Sequence, residues 1–230
     1  MRRLAAVATP ERPLGELVKL RASGQPLQYL EGTAAFGALT VAVDNRVLIP
    51  RSETEYLADL LAHRHSHPRL VVDLCTGSGA MALFIKEVWP TSRVVGSDFS
   101  PDALLVARQN GDHLGLAVEW YQGDLFSALP VDMRGKIDLL VANPPYVSEE
   151  EWELLPIDVM HEPRSALVAG PIGTEIIDRI LDEVDDWLVP GGEAWIEIGE
   201  TQANDLCNRH RITIHQDQYQ KDRFAVMRID

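Results

Sequence analysis

The stretch RLVVDLCTGSGAMALFIKEVW, residues 69–89, decides the fold of this chain. It begins as a short β-branched apolar run, turns through Gly77 and Gly79, and continues as an apolar segment with helical spacing. A strand followed directly by a helix is typical of a strand-helix-strand unit, in which the two strands lie parallel. The stretch therefore predicts an α/β fold, provided that the alternation continues.

The alternation does continue toward the C-terminus. Further strands are predicted in SRVVGSDF (92–99), LAVEWYQGD (116–124), KIDLLVANPPY (136–146) and EAWIEIGE (193–200), with helices in PDALLVARQNGDHL (101–114), GTEIIDRILDEVDDWL (173–188) and TQANDLCNRH (201–210). Two final strands, in RITIHQD (211–217) and DRFAVMRID (222–230), are joined by a short turn and should pair antiparallel. This order predicts a doubly wound, mostly parallel sheet. Ligands of such sheets bind outside the carboxyl ends of the strands.

The first 50 residues have a different pattern. PLGELVKLRASG predicts a helix over about residues 14–22, and TAAFGALTVAVDNRVLIP (33–50) predicts two extended runs that turn at Gly37 or at Asp44-Asn45. A segment of this size is too small for an independent core, so we expect it to pack on the main domain. The predicted organisation is an N-terminal helix and β-hairpin over residues 1–50 and a larger domain over residues 51–230.

Composition narrows the class of protein. The chain has 230 residues, is 46% hydrophobic, and carries a net charge of −14 from 21 basic and 35 acidic side chains. This balance argues against a nucleic-acid partner, because affinity for phosphates needs a basic surface. No apolar run approaches the roughly 20 residues that span a bilayer, so we expect a cytoplasmic protein with no membrane partner. Cys75 and Cys207 form no disulfide framework, and no Cys/His cluster has the spacing of a zinc site.

Three acidic residues stand at successive predicted strand ends. These are Asp73, Asp98 and Asp124, and the turn Gly77-Ser78-Gly79 shares the rim with them. Taken singly, each has a structural interpretation, such as a charge at a helix N-terminus for Asp98 or an Asx-turn for Asp124. Together they suit a ligand with ribose hydroxyls and a positive charge. The acidic surroundings disfavour a pyrophosphate, so they favour S-adenosylmethionine over NAD.

The fourth predicted strand ends on Asn143-Pro144-Pro145-Tyr146 at the same rim. Proline cannot donate to a sheet ladder, so the strand must stop there. An amide or aromatic amine is a poor nucleophile because its lone pair is delocalised. The Asn143 side-chain oxygen and the Pro144 carbonyl can accept hydrogen bonds from both N–H groups of such a substrate, which would aim its lone pair at a methyl donor. Tyr146 could then pack on the plane of the substrate.

These motifs resemble those of S-adenosylmethionine-dependent amino-methyltransferases of the class I, Rossmann-like type. NPPY is shared with adenine and cytosine DNA methyltransferases, so it does not choose the substrate. The segment GQPLQYLEGTAAFGALTVAVDNRVLIPRSETE (24–55), the stretch HEPRSALVAGPIGTEIIDRILDEVDDWLVPGGEAWIEIGETQ (161–202) and the closing DRFAVMRI closely resemble the HemK/PrmC family. Members of that family methylate the N5 atom of the GGQ glutamine of peptide chain release factors.

The resemblance implies a seven-stranded, mostly parallel sheet with an antiparallel last strand, and a set of site residues. It implies cofactor contacts from Asp73, Cys75, Thr76, Gly77, Ser78, Gly79, Asp98, Phe99, Asp124, Leu125 and Asn143, and a substrate-binding loop of Asn143, Pro144, Pro145 and Tyr146. Arg51 would fold over the cofactor; otherwise it would pair with Glu53 or Glu55 at a helix start. Glu162 would order the NPPY loop, or it would be a surface acid.

The sequence departs from the family pattern at Cys75, where glycine is usual, at Leu125, near which an aromatic residue is usual, and at Ser52. Family members also carry an N-terminal helical bundle that engages the release factor, and only its last helix is expected here. The alternative acceptor is therefore a small amide, amine or amino acid. A nucleic-acid adenine methyltransferase is less favoured, because the sequence shows no basic stripe or target-recognition insert. A binding module with an inactive site is disfavoured by the intact strand-end residues.

Overall fold

A computed structural model describes residues 2–230 of the chain. In chain order, its strands are β1 Thr33–Phe36, β2 Leu39–Ala42, β3 Leu70–Leu74, β4 Arg93–Asp98, β5 Glu119–Gln122, β6 Ile137–Ala142, β7 Val147–Ser148, β8 Val168–Gly170, β9 Leu188–Glu197, β10 Thr213–Gln216 and β11 Asp222–Arg228. Its α-helices are α1 Arg2–Ala6, α2 Leu14–Ala22, α3 Leu27–Glu31, α4 Ser52–Arg64, α5 Ala80–Val88, α6 Pro101–Leu114, α7 Glu149–Trp152, α8 Glu175–Glu183 and α9 Ala203–Arg209.

Seven strands form the central sheet in the order β10-β11-β9-β6-β3-β4-β5. Neighbouring strands from β9 to β5 pair parallel, and β11 pairs antiparallel with both β9 and β10. The predicted mostly parallel sheet with an antiparallel last strand is confirmed. Because the parallel strands share one direction, β3, β4, β5 and β6 bring their carboxyl ends to the same rim.

Helices cover both faces of the sheet. A hydrophobic cluster lies on each face. Trp195 of β9 belongs to the cluster beneath α4, α5 and α6, whereas Ala194 and Ile196 belong to the cluster beneath α8 and α9. Val71 and Val72 of β3 divide between the two clusters in the same way. Burial on both faces explains why these strands read as continuous apolar runs rather than as alternating ones.

The N-terminal segment joins the main core. Phe36 of β1 packs edge-on against Phe84 of α5 with ring centroids 5.9 Å apart. The Asn110 side chain on α6 accepts from Ala42 N at 2.7 Å and donates to Ala42 O at 3.1 Å, which ties β2 to α6. Gly37 turns the hairpin with φ 57°, and a Cβ there would lie 2.7 Å from the Phe84 ring. The hairpin therefore continues the core of the sheet.

The first three helices pack on one another around a separate small cluster of Leu4, Leu17 and Leu30. The predicted helix over residues 14–22 coincides with α2, while α1 and α3 were not predicted. Both have only five residues, too few to show a helical period. Among residues 2–230, no helix combines the length and apolar character needed to cross a bilayer.

Candidate active site

The loop after β3 is braced from inside by Asp73. Its carboxylate is 2% exposed and accepts hydrogen bonds from Thr76 Oγ1 at 2.5 Å and from Ala82 N at 3.2 Å. Burial raises the Asp73 pKa to about 7, against the opposing effect of these two donors. Asp73 therefore joins the loop to the first turn of α5.

The conformation of this loop explains the departure at Cys75. Cys75 has φ 58°, Gly77 has φ 55° and Gly79 has φ 81°. Side chains rarely adopt this left-handed region, which is why glycine is favoured at such positions. Cys75 is thus a side chain held where glycine fits more easily. Gly79 serves packing, since a Cβ there would lie 2.8 Å from the Trp120 ring.

Asp98, the last residue of β4, links the loop after β3 to the residue that precedes α6. Its Oδ2 accepts from Gly77 N and its Oδ1 accepts from Ser100 N, both at 2.9 Å. Burial raises the pKa of Asp98, and the backbone donors at Ser100 and Gly77 oppose that rise. Each oxygen keeps a further lone pair, so Asp98 can still accept hydrogen bonds from a ligand.

A cavity of about 320 Å³ opens at this rim. Eight predicted site residues line it, namely Cys75, Gly77, Asp98, Phe99, Asp124, Leu125, Asn143 and Pro145. A smaller adjoining cavity of about 50 Å³ is lined by Asp73, Thr76 and Ser78, and shares Cys75, Gly77 and Asn143 with the first. Gly79, Pro144 and Tyr146 are absent from the described lining of both cavities.

Two arginines at the cavity were not predicted. Arg179 of α8 pairs with Asp124 at 2.7 Å, and both side chains are about half exposed. Arg46 also lines the cavity and pairs with Asp44 at 2.6 Å. In sequence, Arg179 reads only as a polar position on an amphipathic helix, and no spacing signal connects it to Asp124. The rim is therefore less acidic than the strand ends alone suggested.

Asn143, which follows β6, is held by a chain of hydrogen bonds that runs through α4 to β9. Its Nδ2 donates to Thr54 Oγ1 of α4 at 2.9 Å. Thr54 Oγ1 donates to Glu197 Oε2 at the end of β9 at 2.7 Å, and the Tyr146 hydroxyl donates to Glu197 Oε1 at 3.3 Å. The Tyr146 phenol thus binds Glu197. Sequence reasoning assigned no role to Thr54 or Glu197.

The backbone of the NPPY loop is fixed as well. Tyr146 N donates to Leu167 O at 3.1 Å, and Gln202 Nε2 donates to Tyr146 O at 2.8 Å and to Gly173 O at 3.1 Å. Gln202 therefore ties the loop to the segment that begins α8. The short strands β7 and β8, which were not predicted, pair parallel directly after Tyr146 and fix the chain that follows the loop.

Glu162 holds together two walls of the cavity. It is 5% exposed, accepts from Ile49 N at 2.9 Å and pairs with Arg51 at 2.5 Å. The interpretation of Glu162 as a surface acid is wrong, and so is the pairing of Arg51 with Glu53 or Glu55. Leu48 and Pro163, next to these contacts in the chain, both line the cavity.

The side chains that line the cavity fit S-adenosylmethionine in their chemistry. The carboxylates of Asp98 and Asp124 can accept hydrogen bonds from hydroxyl and amino groups, and Phe99 and Leu125 are apolar side chains on which a purine ring can pack. The space where a Cβ of Gly77 would stand is open, so the loop backbone can approach a ligand closely. The same carboxylates favour a positively charged sulfonium.

Comparison with known proteins shows which family this is. The family model described as Methyltransferase small domain matches residues 52–171. A release factor glutamine methyltransferase from Enterococcus faecalis is 38% identical over 87% of this chain and 75% of its own length. One from Moorella thermoacetica is 42% identical over 82% of this chain and 67% of its own length.

Solved structures support the fold. A T. thermophilus 16S rRNA N2 G1207 methyltransferase, solved with AdoMet and guanosine, has a TM-score of 0.64 at 15% identity, over 86% of this chain and 50% of that one. A ribosomal protein L11 methylase from Lactobacillus delbrueckii has a TM-score of 0.57 at 20% identity, over 79% of this chain and 81% of that one. The solved structures share the fold, and the sequence relatives with the family model show that the chain is an S-adenosylmethionine-dependent methyltransferase that belongs to the release factor glutamine methyltransferase family.

Proposed function

We propose that this enzyme methylates the side-chain amide nitrogen of a glutamine in a protein, the GGQ glutamine of a peptide chain release factor. The observation that carries the proposal is the fixed Asn143 amide, which lines the same cavity as Asp98 and whose Nδ2 is hydrogen-bonded to Thr54. A planar amide acceptor requires planar, oriented partners, and Asn143 is one. The names of the relatives support the choice of acceptor.

We assign the cofactor to the cavity beside β3 and β4. Asp98 would bind the ribose hydroxyls, Gly77 would let the backbone approach, and Phe99 and Leu125 would flank the adenine. Asp124, held by Arg179 at 2.7 Å, would accept from the adenine amino group. When bound, S-adenosylmethionine supplies an electrophilic methyl group on a sulfonium.

The chain's own contribution is to position the acceptor. Asn143 Oδ1 and the Pro144 carbonyl accept the two N–H groups of the glutamine amide, which fixes its nitrogen and turns its lone pair toward the methyl donor. Positioning and preorganised acceptors of this kind account for most of the rate that such a reaction needs. Asp73 accepts hydrogen bonds from Thr76 and Ala82, so its role is to brace the loop that binds the cofactor.

The chain segment that follows the loop favours a protein acceptor over a small amide. Leu154, Ile157 and Ile172 are 80%, 65% and 69% exposed, and all three lie in the chain between β7 and the start of α8. Exposed apolar side chains in this segment would suit the contact area of a protein partner. Since release factors act on ribosomes, the reaction belongs in the cytoplasm.

Methyl transfer from labelled S-adenosylmethionine to a purified release factor tests the proposal, with the modified peptide mapped by mass. We expect one methyl group on the GGQ glutamine, and none on a release factor whose GGQ glutamine is replaced by alanine. Absence of transfer, with cofactor binding intact by calorimetry, would refute the proposed acceptor and direct the search to small amides and amines.

A further inference from the structure

Glu197 is a buried carboxylate that contacts Tyr146 of the NPPY loop directly and reaches Asn143 through Thr54. It is 1% exposed and stands at the end of β9. Thr54 Oγ1 donates to one of its oxygens at 2.7 Å and the Tyr146 hydroxyl donates to the other at 3.3 Å. Thr54 Oγ1 also accepts a hydrogen bond from Asn143 Nδ2 at 2.9 Å, so Thr54 connects Glu197 to Asn143.

The direction of these hydrogen bonds depends on the charge of Glu197. An ionised carboxylate only accepts, so the single hydroxyl hydrogen of Thr54 must point at Glu197. Thr54 can then only accept from Asn143, which requires that the Asn143 NH₂ group face Thr54. The Asn143 oxygen is consequently turned to the opposite side, where it can accept from a substrate N–H group.

Protonation of Glu197 removes this constraint. A protonated carboxyl can donate to Thr54, and the Thr54 hydrogen is then free to point at Asn143. An amide that accepts from Thr54 through its oxygen presents its NH₂ group to the substrate instead. Two N–H groups then face each other, which leaves donors without an acceptor and is unfavourable.

We propose that ionised Glu197, acting through Thr54, sets the orientation of the Asn143 amide, and that both are positioning residues for the methyl acceptor. The role at the substrate rests on the proposed function, whereas the orientation of the Asn143 amide does not. Nothing in the reaction requires Glu197 or Thr54 to touch the substrate or the cofactor.

The surroundings of Glu197 place its titration in the neutral range. Burial raises the Glu197 pKa to about 7, and Glu53 on α4 acts in the same direction. Thr54, the Arg223 charge from β11 and the Tyr146 hydroxyl lower it. Arg223 itself is held by Ile198 O at 3.1 Å and by Asp217 at 3.5 Å. It therefore contributes a fixed charge.

The first test is the pH dependence of methyl transfer. For the wild-type chain we expect kcat to rise with pH through about 7, since Glu197 must be ionised. Glu197→Gln should lose that rise and lower kcat about 10-fold or more at pH 8, with little change in the cofactor Kd. A rise in kcat that is unchanged in Glu197→Gln would overturn the proposal.

Thr54 gives a second comparison. Thr54→Val removes the hydroxyl and keeps the shape, so we expect a similar loss of kcat and of the pH dependence. Thr54→Ser keeps the hydroxyl and should retain most of both. Glu193→Gln is the matched control, because Glu193 is a buried carboxylate on the same strand that accepts from Trp195 Nε1 at 2.9 Å and, within residues 2–230, has no hydrogen bond to Thr54. Equal kcat in Thr54→Val and the wild type would contradict the relay.

A readout without substrate separates this proposal from the proposed function. In ¹⁵N-labelled protein, the Asn143 side-chain resonance, identified by its loss in Asn143→Ala, should shift with a midpoint near pH 7. The shift should be absent in Glu197→Gln. If the resonance titrates but no glutamine is methylated, the acceptor is wrong and the relay stands. If methylation occurs and the resonance does not titrate, the relay is refuted.

Discussion

Replacing Glu162 by alanine should loosen the cavity and destabilise the chain. Glu162 accepts from the backbone N–H of Ile49, a residue that is only 3% exposed, and it pairs with Arg51. Alanine leaves the Ile49 N–H buried without an acceptor. The Arg51 side chain is 32% exposed, so its guanidinium can be solvated after the change.

The magnitude follows from these two contacts. A buried donor left without a partner costs about 1–3 kcal/mol. Loss of the partly exposed ion pair adds about 1 kcal/mol or less. We therefore expect the free energy of unfolding to fall by about 1–4 kcal/mol, which for a chain of this size corresponds to a Tm lower by roughly 2–16 °C.

Urea unfolding at pH 7.5 and calorimetric titration with S-adenosylmethionine measure the two effects. Because Leu48 and Pro163 line the cavity next to these contacts, the cofactor Kd should rise about 10-fold. Glu149→Ala is the control, since Glu149 meets Arg164 only at 3.8 Å with both side chains more than half exposed, and it should change stability by about 0.5 kcal/mol at most. Equal stability losses in the two variants would refute the reasoning.

Three further predictions concern the rim. Asn143→Ala should leave the cofactor Kd within about 3-fold and lower kcat by about 100-fold or more, because only the acceptor loses its partner; retained turnover would contradict the role given to the NPPY loop. Cys75→Gly should leave Tm within about 3 °C of the wild type by scanning calorimetry. Relief of the left-handed strain at φ 58° is offset by the flexibility of glycine and the lost side chain. Asp73 has a folded pKa of about 7, above the ordinary value of 3.8 that it has in the unfolded chain, so the folded state binds the extra proton and stability falls as pH rises between these values. Asp73→Asn should remove that fall, and parallel stability curves from pH 4 to 7 for variant and wild type would contradict it.

Much of the main domain was predictable from the sequence because its strands are buried on both faces and its helices are long enough to show a period. The apolar run before Asp73 and the prolines after Asn143 each mark a boundary through local chemistry. In the structure, Ser100 caps α6, since its hydroxyl accepts from Ala103 N at 3.2 Å. The helices α1 and α3 were not predictable in this way, because five residues carry too little pattern.

The candidate site was predictable at the strand ends and not beyond them. Asp98, Asp124 and Asn143 follow strands that lie parallel, so the fold class alone implies that they share a rim. Arg179 and Glu162 lie 55 and 111 residues from the partners they bind. No local pattern connects side chains at that separation, so their pairing was not evident from the sequence.

The sequence by itself determined the sheet, its direction and the residues at its carboxyl rim, since local periodicity, turn chemistry and short motifs specify all three, and its resemblance to known sequences indicated the family. Only the tertiary structure decided how those residues are held. Asn143 is bound by Thr54, which lies 89 residues away in the chain, and Thr54 is bound in turn to Glu197, which lies 143 residues from Thr54. Hydrogen-bond direction and the burial that raises the Glu197 pKa arise only when α4, β6 and β9 meet.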